Sequence, residues 1–189
     1  EAIQLAYSRT VFMDASGEEP QWSIEEYLHD IHPDKWSSTI IETANTIVAE
    51  AFSLKNIIPN VSSAIFRNPG SLEILRDPQW KQMRICGDWI FYLHILRGGV
   101  LAYYRIHGEN TSVKSYSEDK YYVEHELVAK AVRQYYRVDP EIFVRQRENL
   151  MAHWRETRTD FSEDSFEACY SLARIEAVSN AVAPNLMMA

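Results

Sequence analysis

Glycine and cysteine are scarce in this sequence. It has 6 glycines and 2 cysteines among 189 residues, and no Gly-x-Gly occurs. The glycine-rich phosphate loops of dinucleotide-binding and Walker-type proteins are therefore excluded. Cys86 and Cys169 lie far apart in the chain, which argues against both a disulfide framework and a zinc signature. A reducing, cytoplasmic setting is the simplest interpretation.

Basic residues and long apolar runs are lacking as well. The chain has 19 Lys and Arg and 27 Asp and Glu, which gives a formal net charge of −8. This negative charge argues against a broad nucleic-acid-binding surface. The most apolar stretch, Ile85 to Leu96, is interrupted by Asp88 and falls short of the roughly 20 residues that span a bilayer. What is present is a globular composition, 46% hydrophobic and 12% aromatic, which excludes general disorder.

The first part of the chain mixes strand and helix patterns. Alternating apolar and polar residues predict a strand within Ile3 to Met13, followed by a turn at Asp14 to Gly17. Ser23 and Glu26 fit a capping box, which starts a short helix. Apolar residues at helical spacing predict a helix from Trp36 to Leu54.

The next segment contains the most apolar helix. Val61 to Phe66 is short, apolar and β-branched and predicts a buried strand. Asp77-Pro78 is typical of a helix start. Gly87 to Leu96 is apolar nearly all round, which predicts a buried helix ending in a left-handed cap at Gly98-Gly99. A further strand is predicted from Val100 to Ile106.

The remainder of the chain is predicted to be entirely helical. Asp139-Pro140 and Ser162 supply helix starts, and glycine does not recur after Gly108. The predicted helices are Ser117 to Arg137, Ile142 to Trp154, and Glu163 to Val182. We therefore predict a helix-dominated α+β fold, with a mixed part over residues 1–113 and a helical extension over residues 114–189.

Asp88 is the first candidate functional residue. It stands at the start of the most apolar helix, where burial without partners would cost several kcal/mol. The dipole and free amides of a helix N-terminus stabilise a negative charge there. Asp88 is therefore either an ordinary helix cap or a general base facing a cleft. Spacing alone does not decide between them.

Two polar segments flank predicted strands. Arg105 and His107 leave the strand that begins at Val100, and together they are suited to hold phosphate and a divalent ion. Asn60 and Ser62 lie in the block Asn56 to Arg67, where polar residues lead into an apolar strand that ends at Arg67, and polar side chains in such a place often line a pocket. Each segment has a simpler interpretation, a solvated loop in the first case and turn chemistry in the second.

A third cluster of polar residues consists of His29, His32 and Asp34. Histidine and carboxylate groups of this kind bind metals in metal-dependent hydrolases. A polar turn that ends the preceding helix explains them equally well.

Several motifs, taken in order, resemble the acceptor-side half of bacterial family 2 glycosyltransferases. The likeness covers about Leu5 to Ser112. The segments that carry it are Leu5 to Ser8 with Asp14 to Gly17, Lys55 to Arg67, Gly87-Asp88-Trp89, and Gly98 to His107 with Asn110 to Ser112.

The resemblance implies a partial GT-A fold and transfer of a sugar from a nucleotide-sugar with inversion at the anomeric carbon. Asp88 would be the base that deprotonates the acceptor hydroxyl. Trp89 would form a wall of the acceptor site, since an aromatic face packs well on a sugar ring. Arg105 would lie near the donor phosphates, and His107 would match a histidine that completes the metal site or contacts the diphosphate in some relatives.

The sequence departs from the family pattern in its donor half. No two aspartates are separated by a single residue, so the Asp-x-Asp metal motif is absent, and the base-binding half expected before it is absent too. The chain begins with Glu1 rather than Met. We therefore expect an acceptor-side fragment, inactive alone, whose missing N-terminal half supplies most of the donor site.

The resemblance also implies cofactors and partners. Mn²⁺ or Mg²⁺ is expected in the full-length enzyme, and no tightly bound metal is expected in this part. The partners would be a nucleotide-sugar donor and a carbohydrate or glycolipid acceptor of bacterial surface polysaccharide or glycoconjugate synthesis, with no nucleic acid. The enzyme would be cytoplasmic, with peripheral attachment to the inner face of the membrane as an open alternative.

A non-catalytic helical interaction module is the competing hypothesis. It rests on the aromatic residues of the helical extension, which would form a partner surface. Packing of the same residues onto the first part of the chain is the simpler interpretation. The residues in question are Tyr121, Tyr122, Tyr135, Tyr136 and Trp154.

Overall fold

The fold combines a small mixed sheet with eight helices among the described residues, so the prediction of a helix-dominated α+β class is confirmed. The computed structural model describes residues 3–8, 10, 16, 23–97, 99–104, 118–158 and 162–180. For residues 100–104 it describes the backbone alone. Within these ranges, no helix combines the length and apolarity needed to cross a bilayer.

The sheet has four strands in the order β2-β4-β1-β3. The central pair β1 and β4 is parallel, with Leu5 opposite Leu101, and the two outer strands pair antiparallel. Leu5 and Tyr7 of β1 are buried, which fixes the face of the sheet that carries the core. The strands are β1 (Ile3–Ser8), β2 (Ile40–Thr43), β3 (Ala64–Phe66) and β4 (Val100–Tyr104).

Eight helices accompany the sheet among the described residues. Two fit their predictions closely: the ten-residue helix begins at Gly87 and ends at Leu96, and the Ser23–Glu26 capping box is present. The helices are α1 (Ile24–Leu28), α2 (Ala44–Ile47), α3 (Pro78–Lys81), α4 (Gly87–Leu96), α5 (Asp119–Tyr135), α6 (Glu141–Thr157), α7 (Glu163–Cys169) and α8 (Leu172–Glu176). Shorter 3-10 turns span Lys35–Ser37, Val61–Ser63 and Glu73–Arg76.

The prediction of one helix from Trp36 to Leu54 is wrong. Its first half contains strand β2, which pairs with β4, and Thr43 then caps α2 by accepting the N–H of Thr46 at 3.2 Å. The helical chain widens into a π-helical turn over Val48–Phe52. Consecutive β-branched residues at Ile40 and Ile41 favour the strand. The spacing of apolar residues alone does not distinguish this strand from a helix.

Two further predictions need correction. The segment Val61–Phe66 is a 3-10 turn followed by the edge strand β3, and it is not buried, since Ile65 is 78% exposed. Ile65 pairs with Ala6, on the face of the sheet opposite to buried Leu5 and Tyr7, so its side chain points away from the core.

The predicted left-handed cap is also absent at Gly99, while Gly98 lies outside the described residues. Gly99 has no positive φ. A Cβ there would lie 2.0 Å from Cγ of Gln4, so glycine permits the close approach of β1.

The last predicted helix is interrupted. Tyr170 and Ser171 separate α7 from α8, and two hydrogen bonds hold the break in place. The Tyr170 hydroxyl donates to Gln146 at 2.8 Å, and the Ser171 N–H donates to the buried carboxylate of Glu126 at 2.7 Å. These partners lie on α6 and α5, so sequence near the break does not reveal them.

The hydrophobic core runs continuously from the sheet into the helical extension. The Tyr136 hydroxyl at the end of α5 donates to the Leu93 carbonyl of α4 at 2.6 Å. Tyr122, Tyr136 and Trp154 are buried in this core, so most of the aromatic surface required by the interaction-module hypothesis is occupied by internal packing. The division of the chain near residue 113 stays a prediction.

Candidate active site around Asp88

Asp88 lies in the first turn of α4, at the helix end where N–H groups are free and the dipole is positive. Its Oδ1 accepts the N–H of Trp89 at 2.7 Å. The side chain is half-buried rather than exposed on a cap. The helix end and the Trp89 N–H therefore fix the position of the Asp88 carboxylate.

Asn56 is the second polar side chain of the site. Its Nδ2 lies 3.5 Å from Asp88 Oδ1, at the long end of hydrogen-bonding distance. Asn56 Oδ1 accepts the N–H of Ile58 at 3.2 Å, which turns the amide donor toward the carboxylate. The start of the motif Lys55 to Arg67 thus meets the Gly-Asp-Trp motif in space.

The electrostatics of Asp88 favour a proton acceptor rather than a permanently ionised cap. Burial raises the pKa of Asp88 above its usual value, and the negative charge of Glu124 raises it further. Hydrogen bonds from Trp89, from its own backbone N–H and from Asn56 offset part of that rise. A carboxylate with a raised pKa is a stronger base near neutral pH than an ordinary surface aspartate.

Tyr92 stands one helical turn after Asp88 on the same face of α4. Its side chain is buried, and its hydroxyl has no hydrogen-bond partner among the described residues. Burial raises the pKa of Tyr92, and the nearby Asp88 charge adds to the rise. Tyr92 is therefore a neutral phenol, and no group in the described part of the chain accepts its hydroxyl proton.

Trp89 occupies the core rather than an accessible wall. Its side chain is 2% exposed and packs against Phe52 with ring centroids 6.2 Å apart. Its indole N–H donates to the Phe52 carbonyl at 2.8 Å. We therefore assign Trp89 to fixing α4 in place and not to contact with an acceptor sugar.

Asn60 and Ser62 form a turn. Asn60 Oδ1 accepts the N–H of Ser62 at 2.9 Å and so starts the 3-10 turn that leads into β3. Ser62 is exposed. This geometry is the turn chemistry that the sequence offered as the simpler interpretation, and no described hydrogen bond joins either residue to Asp88.

Arg105 and His107 lie outside the described residues. Within the described ranges, no group of three or more His, Cys, Asp or Glu side chains is arranged to hold a metal ion. In the cluster of His29, His32 and Asp34, the His32 Nδ1 faces the Asp34 N–H at 3.3 Å, as in a polar turn.

A cleft of about 400 Å³ opens on another side of α4. Ile90 and His94 reach it, and they lie roughly opposite Asp88 around the helix axis. None of the predicted site residues that the structure describes lines it. Its walls include Glu73, Asp77, Trp80, Lys130, Gln134 and Tyr135.

Sequence reasoning missed two residues of the Asp88 site. Asn56 is the second residue of the motif Lys55 to Arg67, but the orientation of its side chain depends on the turn at Ile58. Glu124 lies in the helical extension and carries no local signal of any link to Asp88. Only the packing of α5 against α4 brings its carboxylate near.

Comparison with known protein families, curated proteins and solved structures finds no match to this chain.

Proposed function

We propose that this chain is the acceptor-side part of an inverting glycosyltransferase, which transfers a sugar from a nucleotide-sugar to a carbohydrate or glycolipid hydroxyl. The observation that supports the proposal is the half-buried carboxylate of Asp88, which accepts hydrogen bonds from Trp89 and Asn56. Burial raises the pKa of this carboxylate, which suits it to accept a proton. Bacterial surface polysaccharide or glycoconjugate synthesis at the inner face of the membrane is the setting that we propose.

The proposed reaction is an in-line displacement. Asp88 takes the proton from the acceptor hydroxyl, and the acceptor oxygen forms a bond to the anomeric carbon as the bond from that carbon to the diphosphate breaks. The nucleoside diphosphate leaves with the electron pair. The described hydrogen bonds from Trp89 and Asn56 both reach Oδ1, so Oδ2 is the oxygen that we assign to the acceptor proton.

A divalent cation often stabilises the leaving diphosphate in reactions of this class. The described residues do not form a site that fits such an ion, and we assign no step to a metal. Charge on the leaving group would be met by the donor-binding part of the complete protein and by Arg105 and His107.

The test is Asp88→Asn in the complete protein. Asparagine keeps the size of the side chain and an acceptor at Oδ1 but cannot accept the proton. Transfer is expected to fall by about 10²–10⁴-fold, the usual contribution of a general base, while nucleotide-sugar binding is unchanged. Asp139→Asn is the matched control, because Asp139 is exposed and its Oδ1 accepts the N–H of Glu141, the first residue of α6, a bond that asparagine can also accept.

The isolated 189-residue chain provides a second test. It is expected to transfer no sugar and to bind nucleotide-sugar weakly or not at all, because most of the donor site is proposed to lie in another part of the protein. Retained transfer by the Asp88→Asn protein would remove Asp88 from the mechanism, and robust transfer by the isolated chain would contradict its proposed role as the acceptor side.

A further inference from the structure

Glu124 of α5 forms an unusual set of contacts with the segment that leads into α4. Its side chain is 2% exposed. Its oxygens accept the backbone N–H groups of Arg84, Ile85 and Cys86 at 2.8, 2.7 and 2.5 Å. Arg84 donates to Oε1, and Ile85 and Cys86 donate to Oε2. Three successive amides that bind one carboxylate form an anion-binding nest, and here the anion belongs to the protein itself.

Backbone amides, rather than a cation, supply the described hydrogen bonds that hold the Glu124 carboxylate. The cation closest to it in the described ion pairs is Lys120, whose Nζ lies 3.9 Å from Oε1, beyond hydrogen-bonding distance. The nest sits at the positive end of the α4 dipole, which adds to the stabilisation. Glu124 therefore clamps the start of α4 to the helical extension.

We infer that Glu124 is a positioning residue for Asp88, because its clamp on Arg84, Ile85 and Cys86 fixes where α4 begins and where the Asp88 carboxylate stands. The inference rests on the proposed function. It gives the helical extension a role in the site, since α5 carries the residue that holds the site's helix in register.

The clamp also acts on Asp88 through charge. The titratable groups that bear on Asp88 are Glu124 from α5, Cys86 from the segment before α4, and Tyr92 from α4 itself. Burial raises the pKa of the Cys86 thiol and that of the Tyr92 phenol, so both are neutral near pH 7. Glu124 is the charged neighbour, and two like charges near one helix end make Asp88 a stronger base.

The first experiment uses the 189-residue chain. The carboxyl carbon of Asp88 is titrated by NMR in the wild type, in Glu124→Gln and in Glu126→Gln. Glu126 is the matched control, because it is a buried glutamate on the same helix that binds Arg174 and Ser171 instead. The pKa of Asp88 is expected to fall in Glu124→Gln and to stay unchanged in Glu126→Gln.

Hydrogen exchange in the same proteins measures the clamp itself. The amides of Arg84, Ile85 and Cys86 are expected to exchange about tenfold faster in Glu124→Gln, as loss of a charged hydrogen-bond acceptor implies. Should Glu124→Gln fail to fold, Glu124→Asp keeps the charge but shortens the reach, and the same three amides are expected to exchange faster. Unchanged exchange, or an unchanged Asp88 pKa in Glu124→Gln, overturns the inference.

The last experiment separates this inference from the proposed function. In the complete protein, the acid limb of the pH profile for transfer is expected to move to lower pH in Glu124→Gln and to return toward wild type in Glu124→Asp. If the Asp88 titration shifts while the pH profile does not, Asp88 is not the base, and the proposed function fails while the positioning by Glu124 stands.

Discussion

The indole N–H of Trp89 donates to the backbone carbonyl of Phe52 across 2.8 Å. This bond joins α4 to the end of the π-helical turn that follows α2. π-helical turns leave backbone groups out of the regular α-helical pattern, and the indole supplies a partner to one of them. It also fixes Asp88, the residue before Trp89, relative to Asn56, which follows the turn.

Trp89→Phe is expected to destabilise the protein by about 1–3 kcal/mol, because the Phe52 carbonyl would remain buried without its donor. Urea denaturation measures the free energy of unfolding. Trp80→Phe is the control: it removes an indole bond to the Gly87 carbonyl, but Trp80 is only half-buried and water can replace the donor. Equal losses in both variants would contradict the role given to the buried bond.

Asp88→Asn is expected to increase stability at neutral pH. Burial raises the pKa of Asp88, so the folded protein holds this proton more tightly than the unfolded chain does. The folded state therefore loses stability as the pH rises from the usual value of 3.8 through the raised pKa. Asparagine does not ionise and avoids this loss.

The measurement for this prediction is the free energy of unfolding of both proteins at several pH values between about 3 and 8. The difference is expected to grow in favour of the variant as the pH rises. A difference that does not depend on pH would show that Asp88 has no raised pKa in the folded state.

Acid is expected to release α8 through Glu126. Burial alone would raise the pKa of Glu126, but hydrogen bonds from Arg174, Lys130 and the Ser171 N–H more than offset it, and the pKa is lowered. A lowered pKa contributes stability above the usual value of 4.5, and this contribution is lost as the pH falls through the folded pKa.

Thermal denaturation at decreasing pH tests the role of Arg174. Arg174→Met is expected to cost about 1–3 kcal/mol near neutral pH, less than the loss of a fully buried pair, because the Arg174 side chain is exposed. The variant is also expected to lose less stability than the wild type as the pH falls. Arg147→Met is the control, since its pair with Glu167 spans 3.3 Å between partly exposed side chains. Similar acid profiles for both variants would argue against the Glu126 mechanism.

The sequence predicted the helix of the site well and its surroundings poorly. Gly87 to Leu96 is apolar all round, and no competing strand pattern overlaps it, so its bounds follow from composition. Trp36 to Leu54 has apolar spacing that suits a helix, but pairing of β2 with β4 decides its first half. Sheet pairing depends on a segment far away in the chain, which local spacing does not encode.

The site was predicted only in part, because its contacts also depend on segments that are far apart in the chain. Asp88 could be singled out because a charge inside an apolar run is conspicuous. Trp89 could not be placed, since a core ring and a sugar-binding ring have the same sequence signature. The contact with Asn56 and the influence of Glu124 depend on how separate elements pack.

The sequence by itself determined the helix-dominated class of the fold, the caps at Ser23, Asp77 and Ser162, and the presence of one carboxylate in the first turn of an apolar helix. These follow from short-range rules of spacing and backbone hydrogen bonding. Tertiary structure alone decided that Glu124 clamps the start of that helix and that Glu126 breaks the last one. Both carboxylates are buried against backbone N–H groups of distant segments, and only the folded chain brings those donors to them.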